Sequence, residues 1–277
     1  MRGGGRDALV RRTWERRAAP LRTETARAPQ GERRCRMHAT IQKPIEEILS
    51  YLKPGEKVFV VGCDNCAAKC HSGGKPETER MAERLKAKGV NVVGWCVPGP
   101  PGVSLCKLSN TKKVLWEEHA DEIKEADSFL VLACGQGVHT VLDAVEGKVC
   151  HPGCDTIFGG ETVSESFITE YCSLCGECII EYTGGLCPVT LCSKGLLNGP
   201  CGGAKNGKCE VDPEKDCGWQ LIYDRLKSLG RLDMMKRYQE PKNYAKWSRP
   251  RTLVIDVEGG KATFKSLAGS IEISSVE

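Results

Sequence analysis

Between residues 44 and 150, short apolar runs alternate with stretches in which apolar residues recur every three or four positions. The runs Lys57–Gly62 (KVFVVG), Val90–Trp95 and Ser128–Ala133 read as buried strands, and Lys148–Cys150 as a short fourth one. Pro76–Lys88, Lys112–Ala126 and Gly137–Val145 carry the helical period, with Gly89 and Gly147 as stops. A helix over 44–52 precedes the first strand, with Ile45, Ile48, Leu49 and Leu52 on one face, and Val97–Leu108 is a Pro/Gly-rich loop. Strand–helix alternation at this spacing predicts an α/β fold: a small parallel-sheet, Rossmann-like domain with crossover helices.

The texture changes after residue 160. Cys, Gly and Pro become dense, and the tract Cys172–Cys217 holds too little apolar material for a core of its own, so it needs metal to fold. Helical period returns at Trp219, Ile222, Leu226 and Leu229; Gly230 interrupts it, and Leu232–Tyr238 extends the pattern. Thr252–Ser274 alternates weakly, as a hairpin or a loose tail. The predicted organisation is an extension over 1–40, an α/β domain over 41–160, a Cys-rich, metal-stapled, ferredoxin-like segment over 161–217, a C-terminal helix and linker over 218–250, and a tail over 251–277.

Charge alters the picture only at one end. Residues 1–36 hold eleven Arg against Asp7, Glu15, Glu24 and Glu32, a surplus of seven, so the +4 of the whole chain leaves −3 on the rest. This segment lacks apolar period and reads as an unstructured extension, with Met37 as an alternative start; its four acids are too many for a transit peptide. Without it nothing points to nucleic acid. No apolar run approaches the roughly 18 residues of a membrane helix, the tightest being Phe129–Cys134. No membrane partner is expected, and a reducing cytoplasm is the expected location.

The 17 Cys change the reading most. Sixteen lie from Cys63 to Cys217 in a long chain without an apolar signal segment, which argues against a secreted disulfide framework and for thiolate–metal ligation. The first constellation is Cys63-x2-Cys66-x3-Cys70, placed where the first strand ends. Ligands of open parallel sheets collect at the carboxyl ends of the strands. Cys96, Cys134 and Cys150 or Cys154 stand at equivalent places, and Cys134 is the expected fourth ligand of a 4Fe–4S cluster. It precedes Gly135-Gln136-Gly137, whose backbone is expected to approach the cluster and donate N–H bonds to it. Zinc, or thiols buried as small hydrophobes, are the alternatives. His71 is left out as a ligand, and Gly135-x-Gly137 alone is too weak a motif for a phosphate or flavin.

The second constellation is Cys172, Cys175, Cys178, Cys187, Cys192, Cys201, Cys209 and Cys217. Cys-x2-Cys-x2-Cys is ferredoxin-type spacing, and Cys187-Pro188 echoes the closing Cys-Pro after a wider gap. Eight thiolates make two four-Cys sites, one drawing on Cys172, Cys175 and Cys178; the pairing of the others stays open, and one site is open to zinc. Two or three clusters in one small chain suggest a relay. No flavin motif, nucleophile triad or paired catalytic acids accompany them, and no residue is assigned a catalytic role; Glu117, Glu118 and Glu214 read as solvated positions.

The run GGLCPVTLCSKGLLNGPCGGAKNGKCEVDPEKDCGWQLIYDRL, with CSLCGEC, VGCDNCAAKC and LACGQGV upstream, resembles the methylenetetrahydrofolate reductase C-terminal (MetV-type) domain over about residues 44–247. The resemblance implies a small iron–sulfur subunit, with zinc in some relatives, that works with a flavin-bearing (FMN or FAD) TIM-barrel subunit of the MetF type. Together such subunits reduce methylenetetrahydrofolate in one-carbon metabolism, including the reductive acetyl-CoA pathway. The implied role is electron delivery to the partner's flavin from an upstream donor subunit. It carries over Cys63, Cys66, Cys70 and Cys134 and the eight cysteines from Cys172 to Cys217. The other readings are a zinc-thiolate methyl-transfer protein and a structural metal-stapled adaptor.

Overall fold

The computed structural model describes residues 37–164, 167–247, 249–256, 261–266 and 269–273. The extension expected over residues 1–36 lies outside them. The described chain forms two compact units, residues 37–170 and the part from Tyr171 onward.

The first unit is α/β, as the hydrophobic pattern predicts. Its elements in chain order are β1 (Met37–Gln42), α1 (Ile45–Tyr51), β2 (Lys57–Gly62), α2 (Cys66–Lys69), α3 (Lys75–Ala87), β3 (Asn91–Cys96), α4 (Leu108–Glu118), α5 (Ala120–Glu125), β4 (Ser128–Leu132), α6 (Gly135–Ala144), β5 (Val149–Pro152), β6 (Cys154–Ser164) and β7 (Phe167–Thr169). Strands β3-β2-β4-β5 form a parallel sheet in that order. Both central strands are apolar throughout because both of their faces are covered. Phe59, Val61, Phe129 and Val131 point to one layer with Leu115, Ile123 and Val141 from α4, α5 and α6. Val58, Val60, Leu130 and Leu132 point to the other with Ile45, Ile48, Met81 and Leu85 from α1 and α3.

The helix expected over Lys112–Ala126 is two helices, broken at His119 (φ −132°, ψ 25°). Lys148 closes the second: its Nζ donates to the carbonyls of Ile123 (2.6 Å), Lys124 (2.9 Å) and Ala126 (2.6 Å). These are carbonyls that a helix leaves open at its end. A second, antiparallel sheet of order β1-β6-β7 was not anticipated. It takes residues 37–40 out of the expected extension, and β6 crosses the boundary expected at 160.

The second unit carries η-turns at Ile180–Thr183, Leu232–Lys236 and Tyr244–Trp247, a one-turn α7 (Pro188–Leu191) and α8 (Gly218–Ser228). Trp219, Ile222 and Leu226 of α8 are buried with Cys217, against Leu186, Cys192, Leu196, Met234 and Met235. The helix stops at Ser228, leaving Leu229 43% exposed, and the pattern beyond Gly230 is a 3-10 turn, not a continued helix. The alternation after 250 becomes a three-stranded antiparallel meander, β8 (Thr252–Asp256), β9 (Lys261–Ser266) and β10 (Gly269–Ile273). Between Tyr171 and Cys217 the chain is mostly turns, and the ferredoxin-like expectation there rests on the cysteine spacing alone. Among the described residues, no helix is long and apolar enough to cross a membrane.

Candidate functional site

The strand β2 ends at Gly62, whose missing Cβ lets Thr78 Oγ1 and the Gly73 carbonyl approach. The chain then closes a compact loop. Cys63 donates its N–H to Gly73 O (2.7 Å), Cys70 donates to Cys66 O (3.1 Å), and Ser72 and Gly73 both donate to Ala67 O (2.9 and 3.2 Å). His71 takes the left-handed conformation (φ 51°) that turns the chain back, and it is exposed. A Cβ on Gly73 would lie 1.9 Å from the Leu132 carbonyl oxygen, so this loop packs directly on the end of β4.

The unanticipated β1 holds the far side of the loop. Thr40 donates its N–H to Cys70 Sγ (3.4 Å), and Cys70 Sγ donates to His38 O (3.6 Å). The hydroxyls of Thr40 and Ser72 bond at 2.7 Å, and Gln42 Nε2 donates to Ser72 O (3.1 Å). On the other side Gly102 donates its N–H to Asp64 Oδ2 (2.9 Å) and Asn65 Nδ2 donates to Ser104 Oγ (2.6 Å). Those bonds bring in the loop that carries Cys106.

Electrostatic coupling reaches one thiol, Cys106, that was not among those read off strand ends. Cys134, 7% exposed, follows β4 as expected. Cys106 joins it: burial raises the Cys106 thiol pKa, a Ser104 hydrogen bond opposes that, and the adjacent Cys134 and Cys63 thiols raise it further. Cys154 donates to Ser72 O (3.5 Å). Burial pushes its pKa up to about 12, with Asp155, Cys70 and Cys134 adding to the rise. Cys63 and Cys134 thus act on Cys106, and Cys70 and Cys134 on Cys154, while Cys66 opens α2. Cys96 ends β3 as expected and lies in one core cluster with Cys63. Cys96 is buried in the core beside Glu118 and Glu122, which raise its pKa, after burial, to about 12. Cys150 sits within β5 opposite Phe129, not at the strand end, and burial raises it to about 11.

The glycines after Cys134 have another role than the one expected. The Gly135 N–H is donated to Thr156 Oγ1 (2.9 Å), not held open for a cluster. Gly137 is required by packing: a Cβ there would meet Ala133 Cβ at 2.7 Å and Leu105 Cδ2 at 3.1 Å.

In the second unit, the eight cysteines lie among turns and short helices. The loop Cys172–Cys178 turns through Leu174 (φ 58°) and Gly176 (φ 83°), and the Leu174 N–H is donated to Cys172 Sγ (3.4 Å). Thr190, on the turn that starts after Cys187, donates its hydroxyl to Tyr171 O (3.2 Å), which ties Cys187 to this loop. Further on, Cys192 and Cys217 share one apolar cluster. Cys209 Sγ donates to Ser193 Oγ (3.6 Å), Lys194 pairs with Glu210, and Gly203 lies against the Glu210 side chain. Gly203 also donates its N–H to Cys201 Sγ (3.4 Å). Cys217 donates its N–H to Gly207 O (2.8 Å) and starts α8.

Two thiols here have depressed pKa values. At Cys175 burial works upward, but the Glu177 main chain, Lys242 and Ser173 outweigh it. At Cys209 hydrogen bonds from the Val211 main chain and Ser193 lead. A sulfur that accepts N–H donors is one prepared to be a thiolate, the form that binds metal. The donor set therefore fits a thiolate-bound metal group. Among the described residues no disulfide joins these cysteines, and no three His, Cys, Asp or Glu side chains already converge as a closed metal-holding group.

Comparison with known families decides which segment this is. Residues 151–245 match the family described as methylene-tetrahydrofolate reductase C terminal. This segment is therefore similar to the methylene-tetrahydrofolate reductase C-terminal family. The match holds all eight cysteines of the second constellation and ends beyond Lys242. Comparisons with curated proteins and with solved structures found no match for the chain.

Sequence reasoning missed Cys106, Lys242 and the β1 contacts. Cys106 has no Cys-x2-Cys neighbour to mark it, and Lys242 lies in a polar stretch read as a linker.

Proposed function

We propose that this chain is an iron–sulfur electron-transfer subunit of a methylenetetrahydrofolate reductase complex. The observation that carries the reading is that the family match falls on the eight-cysteine tract, where sulfurs accept main-chain N–H groups. Cys172, Cys175, Cys178 and Cys187 would hold one cluster and Cys192, Cys201, Cys209 and Cys217 a second or a zinc ion. Cys63, Cys66, Cys70 and Cys134 would hold another in the first unit, with Cys106 and Cys154 beside them. A bound 4Fe–4S cluster supplies one-electron redox chemistry.

The residues of this chain do three things in that scheme. Cysteine sulfurs bind the iron, the N–H groups of Leu174, Gly203 and Thr40 offset charge on the sulfurs, and the glycine-rich turns keep the sites near the surface. The partner is a flavin-bearing MetF-type subunit. Reducing methylenetetrahydrofolate takes two electrons and two protons; the partner's flavin would supply both electrons with one proton as a hydride, a solvent proton would complete the product, and this chain would return electrons to the flavin one at a time. An upstream donor subunit and a reducing cytoplasm complete the reading.

The test is anaerobic purification of the chain, followed by iron, zinc and acid-labile sulfide analysis and EPR after dithionite reduction. About eight to twelve irons per chain with matching sulfide and a reduced-cluster signal are expected. Zinc with little iron overturns the proposal and moves a zinc-thiolate methyl-transfer or structural role ahead of it.

A further inference from the structure

The stretch after Lys236 contains few apolar residues, yet its side chains converge on the Cys172–Cys178 loop from 65 to 77 residues away. Lys242 is 8% exposed and its ammonium donates to the main-chain carbonyl of Glu177. Asn243 donates its N–H to Glu177 Oε2 (2.8 Å), and Lys246 Nζ pairs with Glu177 Oε1 (2.6 Å). Arg251 Nη1 donates to Leu174 O (3.1 Å) and to Lys246 O (3.2 Å). Gly176 lies flat against Lys246, whose Cβ would stand 3.1 Å from a Cβ added there.

The charges do not cancel within this group. Three cations, Lys242, Lys246 and Arg251, face one carboxylate, Glu177, and Lys246 already pairs with it. Among the described residues, Lys242 and Arg251 hydrogen-bond main-chain carbonyls of the loop, and Lys242 shares the field of the Glu177 carboxylate with Lys246 and lies beside the Cys175 thiol. Burying an ammonium that shares one carboxylate with two other cations is costly. The arrangement makes sense when the loop itself is anionic, as three metal-bound thiolates are.

We infer that Lys242, Asn243, Lys246 and Arg251 form a cationic clamp that assembles the Cys172–Cys178 loop around its metal, with Lys242 as the positioning residue. This rests on the proposal that the loop binds metal. The clamp holds the backbone of Leu174 and Glu177, and with it the loop that carries the three cysteines. The two uncancelled positive charges offset the negative charge of the thiolates.

The test uses the full-length chain, stripped of metal and re-equilibrated at a buffered free zinc concentration. Each cysteine is then scored for iodoacetamide alkylation by peptide mass spectrometry in wild type, K242M and K242R. K242M keeps the buried stem and drops the charge; K242R restores a charge. Outer-shell partners of metal ligands change affinity by roughly 10–100-fold. K242M is therefore expected to need at least about tenfold more zinc to protect Cys172, Cys175 and Cys178, with Cys201, Cys209 and Cys217 unchanged, and K242R to recover most of the protection. A K242M footprint identical to wild type overturns the clamp while the metal proposal stands. Absence of zinc-dependent protection of these three cysteines in wild type overturns both. If K242M also exposes Cys192 and Cys217, the unit has unfolded, and R251Q carries the test: a loop-only loss of protection supports the clamp, a wild-type footprint overturns it.

Discussion

Gly135 donates its main-chain N–H to the Thr156 hydroxyl at 2.9 Å, which binds the start of α6 to β6. Its position is otherwise open, since a Cβ there would meet nothing closer than that hydroxyl at 4.0 Å. Gly137, two residues on, has Ala133 Cβ 2.7 Å from where its own Cβ would be. Gly135→Ala is therefore expected to leave stability within about 0.5 kcal/mol of wild type, and Gly137→Ala to cost about 1–3 kcal/mol. Urea unfolding of the two variants checks this. Equal losses would mean that the two glycines serve a common loop conformation instead of packing.

Lys148 bonds three carbonyls at the end of α5. Lys148→Met keeps the stem and strands those carbonyls, at an expected cost of about 2 kcal/mol. The same denaturation experiment reads it, and an unchanged midpoint would show that water replaces the ammonium.

Ile222 is fully buried in the apolar cluster around Trp219, whose Nε1 donates to Leu196 O at 3.0 Å. Ile222→Ala should remove about 2–4 kcal/mol from this unit. Hydrogen exchange should then rise in Gly218–Ser228, with Lys57–Gly62 and Ser128–Leu132 unaffected. Loss of protection in those strands as well would mean that the two units unfold as one.

The thiols should separate by reactivity in metal-free protein. The Cys175 and Cys209 pKa values are depressed, while burial raises Cys96 from 9.0 to about 12 and Cys150 to about 11. Because the thiolate reacts, iodoacetamide at pH 8 should label Cys175 and Cys209 well before Cys96 and Cys150. Equal rates would contradict the burial of the latter pair.

The same burial sets a pH dependence. Cys96 and Cys150 are neutral in the fold, and unfolding frees them to ionise near 9.0. The unfolded chain then binds fewer protons than the folded one, so stability is full below about pH 9 and falls as pH rises toward 11–12. Cys96→Ser and Cys150→Ser should each flatten that fall in thermal melts between pH 8 and 10.5. A slope that neither variant changes would assign the loss to other groups.

What the sequence determined by itself is the part governed by local pattern. Runs such as Lys57–Gly62 and Ser128–Leu132 are apolar throughout because both faces of a central parallel strand are buried, so their identity is written in consecutive residues. The carboxyl-end position of Cys63 and Cys134, the amphipathic α8 and the dense cysteine tract were legible for the same reason. The tertiary structure alone decided what depends on distant pairing. Strand β1 has its partner in β6, with Met37 opposite Gly160, and neither strand carries a pattern that announces it. Asp64 and Asn65 fasten the loop that carries Cys106, and Cys96 packs in one core cluster with Cys63. Lys242 gave no local sign of burial. A lysine in a polar stretch is normally solvated, and only the folded loop, with the Glu177 carbonyl, its carboxylate and the Cys175 thiol beside it, offers that ammonium a reason to leave water.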